Sequence, residues 1–205
     1  MEANANNTLE NIINAAKSEF LEKGYRGASL RNIVKSAKVT TGAFYGYFKS
    51  KEELFDALVC KQADFMMTRY LKAHQDFVEL SPEEQKDNMA VISGQCMDEM
   101  LDYMYTFPTE IKLLLTCSEG TKYENFIHDL AEVEIEATHR FNNVLHSLGV
   151  PSRLVNPQLE HMLVSGMFAA YFEMILHDIP IEQAHEYLKD LRSFYTAGWQ
   201  KLMGF

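Results

Sequence analysis

Three features of the sequence predict an all-helical fold. Apolar residues recur at helical spacing almost throughout, no hairpin dipeptide separates alternating stretches, and strands and helices do not alternate. The chain has 205 residues, 47% hydrophobic and 23% charged, with ten Gly and five Pro. That is ordinary globular composition with enough length to bury a core. No apolar run is long enough for a membrane span, and the N-terminus lacks a basic stretch followed by an apolar one, so a cytoplasmic protein is expected. The three cysteines, Cys60, Cys96 and Cys117, make neither a disulfide framework nor a zinc knuckle.

Taken in order, Leu9, Ile12, Ile13, Ala16, Phe20 and Leu21 form one face of a first helix. Asn7 and Glu10 have capping-box spacing, and Gly24 suits the end. Ser29 then caps a short helix with Leu30, Ile33, Val34 and Ala37 inward. After a turn at Lys38-Val39-Thr40, a third helix is expected from about Thr41 to Phe48, burying Ala43, Phe44 and Phe48. Ser50-Lys51-Glu52-Glu53 opens a fourth. Ser81-Pro82-Glu83-Glu84 starts another, which should stop before Pro108. Further helices are expected at about Thr109–Cys117, Lys122–Leu148, Gln158–His177 after Asn156-Pro157, and from Pro180 to about Met203. The expectation is about nine helices with no fixed repeat.

Charge divides the chain. Residues 1–51 hold eight basic residues against four acids, a balance of +4, while residues 52–205 hold 11 against 25, a balance of −14. A small basic head on an acidic body can dock one face on nucleic acid without coating it. The expected organisation is a helix-turn-helix head over 1–51 and a helical body over 52–205.

Two short helices joined by a tight turn can place a helix N-terminus in a major groove. The residues suit that use. Thr40, Thr41 and Gly42 offer hydroxyls and backbone N–H groups to phosphates or base edges. Tyr45 and Tyr47 carry hydroxyls of phosphate-contacting reach, and Lys51 sits at the positive end of the next helix. Arg31 can fork onto a guanine.

The segment Gly24-Tyr25-Arg26-Gly27-Ala28-Ser29-Leu30-Arg31-Asn32-Ile33-Val34, with Thr41-Gly42-Ala43-Phe44-Tyr45-Gly46-Tyr47-Phe48-Lys49-Ser50-Lys51-Glu52-Glu53-Leu54 after it, resembles the DNA-binding domain of the TetR family of bacterial transcriptional regulators. The resemblance covers about residues 8–60. It implies that Thr41 and Gly42 open the recognition helix, that Tyr45, Tyr47 and Lys51 meet phosphates, that Thr40 stands at the helix cap and that Arg31 reaches a base. Gly46 departs from the pattern: many members carry a larger, DNA-contacting residue there. Readout then leans on Thr41, Ala43 and Arg31, and the glycine should leave the recognition helix loose until it binds DNA.

For the body, the resemblance implies a homodimer built on the last two helices, a palindromic operator and a small-molecule effector. The sequence supplies matching surfaces. Met162, Gly166, Met167, Ala170 and Met174 on the penultimate helix, with Leu191, Phe194, Tyr195 and Trp199 on the last, are the expected interface. Two heads would then sit about 34–36 Å apart, one DNA turn. Eleven Met and 12% aromatic residues provide adaptable apolar lining for a lipophilic or aromatic effector. The candidates are Phe65, Met97, Met100, Tyr103, Met104, Phe126, His139, Phe168 and Phe172, with Tyr70, Phe107 and Phe141 beside them. Acids such as Glu99, Glu134 and Glu173 among aromatics favour a lipophilic cation.

Two rivals come from the same residues. Cys60, Cys96 and Cys117 allow a redox-sensing regulator, although none has a basic cluster to lower its pKa. Glu136-Ala137-Thr138-His139 and Glu182-Gln183-Ala184-His185 have the Glu-x-x-His spacing of di-metal carboxylate bundles. Twenty glutamates and seven histidines make such pairs unsurprising by chance. No phosphate loop, zinc-protease motif or nucleophile elbow is present, so no enzyme, catalytic residue, cofactor or metal is expected.

Overall fold

A computed structural model describes residues 2–204, and among them the chain forms nine α-helices and no strand. They are α1 (Glu2–Gly27), α2 (Leu30–Ser36), α3 (Thr41–Tyr45), α4 (Lys51–Val78), α5 (Pro82–Thr106), α6 (Pro108–Thr116), α7 (Phe126–Ser147), α8 (Pro157–Leu176) and α9 (Ile181–Met203). Contacts divide the chain into two compact units. The first holds residues 1–65 and 107–126, and the second holds 66–106 and 127–205. Segment 107–126 therefore belongs with the head, a grouping that a division at residue 51 in chain order does not contain.

In the first unit α1 packs on both α2 and α6. Its core joins Ile12, Ala16 and Phe20 to Ile33, Phe44, Leu54, Phe55, Ile111 and Leu114, all essentially inaccessible. Phe20 meets Phe55 edge-on with ring centroids 5.0 Å apart. The second unit packs α5 and α8 on α9. Tyr171 is fully buried there, and its hydroxyl donates to the Met97 carbonyl at 2.9 Å.

Local chemistry explains most boundaries. Gly24 adopts φ 67°, ψ 169°, a conformation essentially confined to glycine, and it breaks α1 as expected. Asn156 caps α8 by accepting from the N–H groups of Gln158 and Leu159. Ser81 and Glu84 satisfy each other's N–H groups in a reciprocal capping box ahead of α5. Ser50 accepts from the Glu53 N–H, but the return arm of Glu53 lands on the Lys49 N–H at 2.6 Å.

Several expectations are corrected. Asn7 lies inside α1, which begins at Glu2, so it caps nothing. Leu21 is 44% exposed. The buried face of α1 runs through Ile12, Ala16, Glu19 and Phe20, and Leu21 falls beyond its edge. α3 ends at Tyr45, three residues early, with Gly46 as its C-cap. Ala43 is half-buried. α7 begins at Phe126 because Thr121 and Ser118 close a turn behind Gly120, whose φ is 85°. α8 has the length and apolar composition of a membrane-crossing helix. Val164, Phe168, Tyr171, Phe172 and Ile175 are buried along it, the pattern of a core helix.

Ser29 stands at the N-cap of α2, but its hydroxyl makes no capping bond. Glu19, buried on α1, takes over that role. It accepts from the Ser29 N–H at 3.1 Å, from Asn32 Nδ2 at 3.2 Å and from Lys23 Nζ at 3.0 Å. The Ser29 N–H, with help from Lys23 and Asn32, holds the carboxyl below its ordinary value of 4.5 against the upward push of burial. A depressed folded-state pKa stabilises fully above the unfolded value and is lost as pH falls through the folded one. Glu19→Gln is therefore expected to cost about 1–3 kcal/mol at pH 7. The gap to wild type should shrink as pH drops below 4.5, read from thermal melts across pH.

Candidate nucleic-acid interface and body cavity

Lys38, with φ 55°, turns the chain between α2 and α3. Thr40 then caps α3, its Oγ1 accepting from the Ala43 N–H at 3.1 Å. Phe44 is fully buried and pins the helix, so the residues around it face outward. Arg31, Thr40, Thr41, Gly42 and Tyr45 are exposed, Tyr45 by 54%, while Ala43 and Tyr47 are half-buried. The structure thus gathers the expected contact residues on the outer side of α2 and α3. The first N–H groups of a helix have no intrahelical acceptor, so this end offers donors to an anion. Gly46 has φ −72° and ψ −20°, which any residue adopts.

Lys51 occupies a different position from the others. Its Nζ donates to the Tyr25 carbonyl at 2.6 Å and to the Ala28 carbonyl at 3.0 Å. It also lies over the Tyr25 ring, 4.4 Å from the centroid. Burial lowers its pKa from the ordinary lysine value. Two of its three protons therefore tie α4 to the end of α1. Sequence reading missed this strut, and Tyr25 with it, because the acceptors are backbone carbonyls far away in sequence.

The second unit holds a partly open cavity of about 570 Å³. Residues of α4, α5, α7, α8 and α9 line it, and its wall combines apolar and polar groups. Met97 and Phe168, both expected, line it, as do Tyr70, Phe141 and Glu134. The other proposed lining residues lie elsewhere. Phe65 is exposed, at 38%, and Phe126 is core, both in the first unit. Met100 and Met104 are buried core residues of α5 and are not on the cavity wall. Phe172 is buried behind Phe168, with ring centroids 6.3 Å apart. Tyr103 and Phe107 are not on the wall. His139 is held by Glu160 at 2.7 Å.

At one side of the cavity the Tyr70 hydroxyl donates to Glu134, and His74 Nε2 lies 3.3 Å from the same carboxylate oxygen. Burial pushes Glu134 upward. The hydrogen bond and charge of His74, with the Tyr70 hydroxyl, outweigh it and leave the carboxyl below its ordinary value. Burial first, then the Glu134 charge, raises Tyr70 well above its own. Arg192 and Lys189 lie on the α9 side. The Arg192 guanidinium crosses α5 at Gly94, where a Cβ would fall 1.6 Å from Nη2, and reaches Asp98 at 3.4 Å. The one carboxylate on the wall is thus already engaged by Tyr70 and His74, and Lys189 and Arg192 belong to the same wall. This wall does not favour a lipophilic cation.

The dimer candidates also separate. Phe194 and Met162 are 72% and 69% exposed, while Gly166, Met167, Ala170, Leu191, Tyr195 and Trp199 are half-buried. Met167, Tyr195 and Trp199 line the cavity. Met174 is only 3% exposed and belongs to its own chain's core, so it is corrected out of the interface. It lies twelve residues beyond Met162, which in a helix points it away from the exposed stripe.

The rival constellations do not converge. Glu136 pairs with Arg140, His139 with Glu160, and His185 with Asp98 and Asp102. Burial pushes the Cys96 thiol up to about 11 and raises that of Cys117, so neither is a ready thiolate.

Comparison with known proteins agrees with the head. The family described as bacterial regulatory proteins, tetR family, matches residues 12–58. The TetC protein of transposon Tn10 from Escherichia coli is 38% identical over 73 residues, 36% of each chain. The match thus spans about a third of that relative's length. An HTH-type transcriptional regulator of Staphylococcus aureus is 23% identical over 178 residues, covering 80% of this chain and 89% of that one. A member of the TetR transcriptional regulator family from Streptomyces coelicolor shares the fold, with TM-score 0.56 and 17% identity over 88% of this chain and 87% of that one.

Proposed function

We propose that the chain, whose residues 12–58 match the tetR family of bacterial regulatory proteins, is a transcriptional repressor of that family, released from a palindromic operator by a small molecule. It acts as a cytoplasmic homodimer and performs no catalysis. The observation that carries this reading is the capped α3, with Thr40, Thr41, Gly42 and Tyr45 exposed around the buried Phe44. Arg31 on α2 adds base readout, and Tyr45 with Tyr47 adds phosphate contacts. Lys51 supports the platform and presents its helix N-terminus. The head remains the domain of about residues 1–51 that meets DNA, steadied by segment 107–126.

The cavity fits the effector role by size, since small-molecule sites run to about 300–1,000 Å³. Its ligand has an apolar body against Phe141, Phe168 and Met97, with polar groups directed to the Tyr70–Glu134–His74 cluster or to Arg192. A ligand that prefers one arrangement of the body shifts the population away from the one that fits the operator.

The test is binding to duplex fragments from upstream of the chain's own gene, followed by fluorescence anisotropy at several salt concentrations. Affinity should fall steeply with salt as counterions are released. Arg31→Ala should cost about 1–3 kcal/mol and relax specificity at one base pair. Tyr45→Phe should weaken all sequences alike. Unchanged affinity in the combined Arg31→Ala, Thr41→Ala, Tyr45→Phe variant would remove the basis for this reading.

A further inference from the structure

Away from the cavity, α7 and α8 bring two imidazoles and a carboxylate to one surface patch of the second unit. His128 and Glu132 are four residues apart on α7 and so share a face. His161 faces them from α8, its ring 5.5 Å from that of His128 at an interplanar angle of 64°. The same carboxylate oxygen, Glu132 Oε1, lies 3.6 Å from His161 Nδ1 and 4.0 Å from His128 Nδ1. Both distances exceed a hydrogen bond, which needs about 2.7–3.2 Å. The oxygen stands between two nitrogens without bonding either.

One ion resolves that spacing. We propose that His128, Glu132 and His161 bind a divalent transition-metal ion of the zinc type. The three donor atoms lie within 4.8 Å of one another. Zinc bonds of about 2.0–2.2 Å at tetrahedral angles place donors about 3.3–3.5 Å apart. Small side-chain rotations close the difference, and the residues are exposed enough to make them. Two imidazoles with one carboxylate suit Zn²⁺, Co²⁺ or Ni²⁺, whereas Ca²⁺ and Mg²⁺ take oxygen donors. Three protein ligands leave a position for water. The ion joins α7 to the start of α8, next to the exposed Met162.

The test uses the full chain, stripped of metal and titrated with Zn²⁺ by calorimetry and with Co²⁺ by visible absorption. The expected result is one ion per chain and a four-coordinate cobalt spectrum. His161→Ala and Glu132→Gln should each weaken binding at least tenfold with unchanged circular dichroism. His185→Ala, beside its own pair of aspartates, should leave it unchanged. Equal affinity in wild type and His161→Ala, or a loss that follows His185→Ala instead, overturns the assignment. No DNA is present, so the outcome is independent of operator binding.

Discussion

Replacing Lys51 with glutamate is expected to destabilise the head as well as abolish duplex binding. Lysine here donates two charge-assisted hydrogen bonds to backbone carbonyls and rests on the Tyr25 ring. Hydrogen bonds to charged groups are worth about 1.5–3 kcal/mol each. Glutamate would press a negative charge against two acceptors and leave both unsatisfied. A loss of about 3 kcal/mol would lower Tm by about 6–12 °C in a chain of this size. Tyr45→Phe provides the contrast, because an exposed hydroxyl can be removed at no cost to the fold. Melting and duplex affinity should fall together for Lys51→Glu, while affinity alone falls for Tyr45→Phe. A Lys51→Glu protein that melts like wild type would contradict the strut.

On the proposed homodimer, the double variant Met162→Asp, Phe194→Asp is expected to be a folded monomer that no longer holds the proposed operator. Both side chains are more than two-thirds exposed, so the single chain loses little by the change. In a two-fold interface each aspartate would be buried without a partner, at about 3–5 kcal/mol apiece. Two linked heads exceed the affinity of one by about 10²–10⁴, and that gain should vanish. Light scattering reads the mass and anisotropy reads the affinity. A dimer that survives both charges would place the interface elsewhere.

Most helix starts were legible where their punctuation was local, Asn7 excepted. Asn156, Ser50 and Ser81 cap as their spacing predicts, and Thr40 as the resemblance implies, because each acceptor reaches an N–H two or three residues on. Ser29 has the right type and place but loses the role to Glu19, ten residues away on another helix. The head's outward residues were legible for a similar reason, since one buried aromatic, Phe44, fixes which sides of a five-residue helix face out. The cavity was not. Met97 and Met100 have the same composition and sit one turn apart, yet one lines the cavity and the other is core. Helical periodicity says that a residue points inward, not whether it meets a neighbour or a space. The pairing of Tyr70 and His74 with Glu134 spans two helices that no local spacing connects.

The membership of residues 107–126 in the first unit bears on how the nascent chain matures. Tyr25 N–H donates to the Cys117 carbonyl, Arg26 pairs with Glu119, and Tyr123 donates to Asp56. Ile111 and Leu114 seal the apolar side of α1. The partners on 107–126 emerge from the ribosome only after α5 has been made. A chain cut after residue 65 would hold every candidate DNA contact and lack that wall, so the order of translation withholds a finished head until the middle of the protein exists.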